Sequence, residues 1–141
     1  MNDLSIDLNS YYLRELMFMY EILLKRVYEP VSDSDGYRIL VDRLWPRGIS
    51  KERGALADWA KDLAPSTALR KDFCHIPERM EAFRVRYTME LDQSEGAAAY
   101  AARLRQILEV QPVTLLYGAK DPEVNHAVVL KAWLESQINP K

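Results

Sequence analysis

Tyr37-Arg38-Ile39-Leu40-Val41-Asp42-Arg43-Leu44-Trp45-Pro46-Arg47-Gly48 is the stretch that decides the fold. Its first half is apolar and β-branched, so Tyr37 to Asp42 reads as a strand, and Pro46 with Gly48 stops it. A strand this apolar is buried on both faces, as strands of parallel sheets are. Asp42 and Arg43 then release charge where the chain leaves the core.

Upstream, Glu21 to Tyr28 forms a first strand, ended by Pro30 and the turn-rich Ser32-Asp33-Ser34-Asp35-Gly36. Downstream, Ser50 caps a helix through Leu56, Trp59 and Leu63, whose spacing puts them on one face, and Pro65 ends it. Ser66 caps a short helical turn to Phe73. His75 is read as the N-terminal cap of the next helix, with Pro77 as its first residue. There Met80, Phe83, Tyr87 and Leu91 make an apolar stripe, while Glu78, Arg79, Arg84, Arg86 and Glu90 face water. Gly96 breaks the chain before a helix from Ala97 to Leu108, closed by Pro112. Val113-Thr114-Leu115-Leu116-Tyr117 is the third strand, and Asn125 to Gln137 the last helix, with Val129, Ala132 and Trp133 inward.

Strands joined by crossovers this long pair in parallel. The expected fold is therefore α/β, a small open and mainly parallel sheet with long helical crossovers in a two-layer or three-layer Rossmann-like arrangement. Such sheets collect ligands at the carboxyl ends of their strands. That places Asp42, Arg43 and Arg47 beside Tyr117 and Lys120.

Bulk properties narrow the classes. The 141 residues suit one domain, placed at residues 20–138, with 1–19 as an extension in which Leu13, Leu16, Met17 and Tyr20 could form an amphipathic helix. A formal net charge of -2 argues against a surface built wholly for nucleic acid. No apolar run reaches the roughly 18 residues that span a bilayer. The single cysteine, Cys74, rules out an internal disulfide and fits a reducing compartment, so a cytoplasmic location is expected. Two histidines far apart make a metal site improbable, and no cofactor follows without a Gly-x-Gly-x-x-Gly or P-loop pattern.

Asp42 and His126 are the candidates for moving a proton. Arg43, Arg47 and Lys120 are the candidates for holding an anion, helped by Gly48, Tyr117 and the helix N-terminus at Asn125. Trp45 reads equally as a stacking platform and as core filler. Lys61, Ser66 and Arg70 could add polar groups from the crossover. Two functions fit. One is a protein that binds a small anion, a phosphate or carboxylate, with or without catalysis on a phosphorylated or nucleotide-like molecule. The other is a nucleic-acid or protein-binding module using Trp45, Arg47, Arg84, Arg86, Arg103 and Arg105, with the strand-end charges as a structural network.

The segments Arg26-Val27-Tyr28-Glu29-Pro30, Asp35-Gly36-Tyr37-Arg38, Leu40 through Gly48, Leu63-Ala64-Pro65-Ser66 with Leu69-Arg70, and Leu116 through Asp121 with Asn125 through Leu130 resemble the YeaO-like proteins. The resemblance covers Ile22 to Glu135 and implies a small bacterial α/β domain of unknown function. It implies a start near Ile22, and glycine is usual where Cys74 stands, which counts against a nucleophilic cysteine.

Overall fold

A computed structural model of the chain describes residues 19–139. The helix expected through Leu13, Leu16 and Met17 lies outside the described residues. Four parallel strands, β1 (Ile22–Arg26), β2 (Tyr37–Leu40), β3 (Asp58–Trp59) and β4 (Val113–Tyr117), form a sheet in the order β1-β4-β2-β3. The expected α/β fold with a small parallel sheet is what the chain adopts. β4 is central, and all five of its residues are buried.

Alternation along the strands divides the core. Ile39 and Val41 with Val113, Leu115 and Tyr117 face the main cluster, whereas Leu40 and Leu116 face a smaller one with Val27 and Ile49. The main face is covered by α2 (Thr67–Phe73), α3 (Met80–Asp92), α4 (Glu95–Ile107) and α5 (His126–Ile138). Among the described residues, the other carries α1 (Lys51–Gly54) and the loops around Trp45 and Leu56. The result is two layers with a thin outer cover.

Ser50, Ser66 and Asn125 accept the backbone N–H of Arg53, Leu69 and Val128, as expected of caps. Five expectations change. Ala132, expected inward on the last helix, is exposed, because α5 turns Val129, Leu130, Trp133 and Leu134 to the core instead. The helix through Leu56, Trp59 and Leu63 is instead α1 followed by the edge strand β3. Ala55 turns left-handed (φ 46) and returns its N–H to Lys51, and Leu56 and Trp59 pack on the opposite side of the sheet from Leu63. Gly96 lies inside α4, whose cap is Ser94. Glu90 does not face water, because its carboxylate accepts the N–H (2.9 Å) and hydroxyl (2.6 Å) of Ser66. His75 is not a cap, since Ile76 takes that place before Pro77.

Candidate functional site

β2 and β4 pair from Tyr37↔Val113 to Leu40↔Leu116, so their carboxyl ends emerge side by side. The pairing persists one step further, with the Val41 N–H on Leu116 O at 3.0 Å. Beyond it, Asp42 from one strand and Gly118 from the other bound a cleft of about 270 Å³. Pro65, Phe73 and Phe83 form much of its apolar wall, and Arg43, Arg70, His75 and His126 supply the polar groups.

The Asp42 carboxylate is tied to the neighbouring strand end by Gly118, whose N–H donates to Oδ2 at 2.9 Å. A side chain at Gly118 would crowd that oxygen, since a Cβ there would lie 3.0 Å from it. The other oxygen, Oδ1, is buried without a hydrogen-bond partner among the described residues and lies 3.3 Å from His126 Nε2. That nitrogen is 3.0 Å from Val41 O. A carbonyl only accepts, so Nε2 carries the proton and Nδ1 is left as an acceptor.

Burial pushes the Asp42 carboxyl above its ordinary value, against the opposing fields of His126 and His75 and the Gly118 bond. Burial pushes His126 the other way, below its ordinary value, more strongly than Asp42 and Val41 O raise it. At neutral pH the histidine is therefore uncharged, held in one tautomer beside the Asp42 carboxyl. Tyr87 packs behind it at 6.3 Å between ring centroids and donates its hydroxyl to Leu63 O at 2.5 Å.

Arg43 makes no ion pair with Asp42. Its guanidinium donates to the carbonyls of Pro65 (3.2 and 3.4 Å) and Ala64 (3.4 Å), which orient it without an ion pair among the described residues. Arg70 is exposed on α2 and makes no ion pair or hydrogen bond through its side chain among the described residues.

Asp42, Arg43, Arg70 and His126 thus share one cleft; the other candidates do not line it. Trp45 turns to the opposite face, where its Nε1 donates to Ile49 O at 2.6 Å and its ring meets Trp59 edge-on at 5.3 Å. Arg47 and Gly48 are exposed on the same loop, with Arg47 O accepting the Tyr28 hydroxyl. Lys61 lies over the Trp59 ring at 4.4 Å. Ser66 caps α2, and Tyr117 is buried in the main core. Lys120 is exposed. Asn125 is wholly buried as a cap, its carboxamide joined to Val128 N and Asp121 O, so this helix end already has its donors and acceptors partnered in part.

Sequence reasoning missed His75, Phe73, Phe83 and Gly118 as lining residues. Gly118, next to the third strand, was within reach as a place of close backbone approach. The two phenylalanines gave only a core signal.

Among the described residues, no group of three His, Cys, Asp or Glu side chains is placed to hold a metal ion, and no helix is long and apolar enough to cross a membrane. A family model described as "Inactive DUF488-N3 subclade" matches residues 21–141. The uncharacterised protein YeaO of Escherichia coli (strain K12) is 53% identical over 112 residues, which cover 79% of this chain and 95% of that protein. Uncharacterised proteins of Mycobacterium bovis and Mycobacterium tuberculosis are 40% identical over 112 residues, covering 79% of this chain and 92% of each. No solved structure matches the chain significantly. The chain belongs to the inactive DUF488-N3 subclade and is a YeaO-like protein.

Proposed function

We propose that the strand-end cleft binds a small organic anion, a carboxylate or phosphate on an apolar body. The observation that carries this reading is the pair of guanidinium groups, Arg43 and Arg70, that border a largely apolar cleft, neither of them in an ion pair among the described residues. With His126 neutral, the two arginines outnumber Asp42, a balance that favours an anion. A volume of about 270 Å³ suits a metabolite rather than a polymer. The word "inactive" in the family description supports binding without turnover. In this reading the Asp42–His126 pair supplies a fixed polar end to the cleft.

The nucleic-acid alternative draws less support. Arg84 pairs with Glu81, Arg86 with Asp72 at 2.8 Å, and Arg103 with Asp58 at 3.6 Å, so the helix cations are largely compensated.

Thermal-shift and calorimetric titration with benzoate, phenyl phosphate and adenosine monophosphate tests the proposal. At one hundred times its Kd, a bound anion should stabilise the protein by about 2.7 kcal/mol. Arg43→Ala and Arg70→Ala should each weaken binding by roughly tenfold or more, the loss of a charge-assisted hydrogen bond. Unchanged ligand-induced shifts in both variants would show the site to be misplaced.

A further inference from the structure

Phe73 to Ile76 makes a reverse turn, closed by the Ile76 N–H on Phe73 O at 3.1 Å. Both central residues have positive φ, 48° at Cys74 and 55° at His75. This is the pattern of a type I′ turn, a conformation that Asn-Gly or Gly-Gly fills without strain. Two consecutive side-chain-bearing residues fill it here. Cys74 has a structural reason to be left-handed: it is the C-cap of α2, with its N–H on Arg70 O at 3.0 Å. Capping asks nothing of His75, and glycine would serve the turn better.

What the histidine gains is position. Its ring packs beside Phe73 at 5.6 Å between centroids and borders the same cleft as Asp42 and His126. It is exposed, and its ring nitrogens have no hydrogen-bond partner among the described residues. Its field reaches both members of the buried pair, lowering Asp42 and His126 alike. Strain held at a residue that borders a cleft, with no partner to account for it, is the pattern of a residue kept for its ligand.

We infer that His75 is a ligand-contacting residue of the cleft, held at its mouth by a strained turn and donating a ring N–H to the bound anion beside Arg70. This deepens the proposed function and rests on it. The test is His75→Gly, which relaxes the turn, alongside His75→Asn, which tolerates the left-handed conformation but lacks the ring. Both are measured by melting temperature and by calorimetric titration of the full chain with phenyl phosphate and benzoate. His75→Gly should raise Tm by roughly 2–4 °C and, like His75→Asn, weaken binding of the better probe on the order of tenfold. If wild type binds and both variants bind equally well, His75 is no ligand contact and the inference fails alone. A lower Tm for His75→Gly would refute the strain. If wild type binds neither probe, the inference and the proposed function fall together.

Discussion

Replacing Asp35 by Ala is expected to destabilise the fold by about 3–5 kcal/mol, because it strands two cations in the interior. Asp35 and Arg38 are 5% and 4% exposed. The carboxylate accepts Lys25 Nζ at 2.9 and 3.1 Å, Arg38 Nη1 at 2.5 Å and the Ser32 N–H at 3.0 Å. Arg38 is further fixed by Gly54 O at 3.2 and 2.9 Å, and Thr114 of the central strand donates its hydroxyl to Asp35 O at 2.6 Å. The Asp35 carboxylate thus joins β1 to β2, its backbone carbonyl reaches β4, and Arg38 carries the network on to the end of α1. Burial alone would raise its pKa, but Lys25, the Ser32 amide and Arg38 outweigh it and hold the carboxyl below the ordinary 3.8. A depressed folded value means that the stabilisation is complete above 3.8 and is lost as pH falls through the lower folded value. Urea unfolding should therefore show a wild-type stability that declines on acidification below the ordinary carboxylate range, with a shallower decline in Asp35→Asn. An Asp35→Ala loss under about 1 kcal/mol would mean that the cations find water instead.

Gly36→Ala should be nearly as damaging, at about 3 kcal/mol or more, since both backbone conformation and space oppose it. Gly36 has φ 66° and ψ -129°, a region left almost wholly to glycine. A Cβ there would overlap the Pro112 carbonyl, whose oxygen accepts the Tyr37 N–H that starts the β2–β4 pairing. Gly48 is the internal comparison: its φ is 79°, but nothing lies within 4 Å of an added Cβ. Gly48→Ala should cost only about 1 kcal/mol of left-handed strain. Equal losses for the two variants, read from chemical denaturation, would show that the close approach to Pro112 contributes nothing.

The sheet could be read from the sequence because its main strands announce themselves locally. Tyr37 to Val41 and Val113 to Tyr117 are mainly apolar runs between turn signals, broken only by Arg38 and Thr114, and both pair as central strands. The edge strand β3 could not be read. It is two residues long, and Leu56, Trp59 and Leu63 are spaced like a helical stripe although they serve opposite faces of the sheet. Strand-end geometry likewise gave Asp42 and His126, since parallel pairing alone brings these elements together. Past the strand end, the path of the loop decides where a side chain goes, and composition carries no record of that path. Trp45 and Arg47, which follow Asp42 closely, leave for the other face, while Arg70 returns to the cleft from a separate helix. His75 was illegible for a related reason: Cys-His is not a pair that signals a type I′ turn.

A crystal structure of the protein soaked with phenyl phosphate at ten times its measured Kd tests the cleft most directly. The anionic group is expected within hydrogen-bond distance of Arg43 and Arg70, with the phenyl ring against Phe73 and Phe83. An anionic group bound instead at Arg47 or Lys120, with the cleft holding only solvent, would contradict the account.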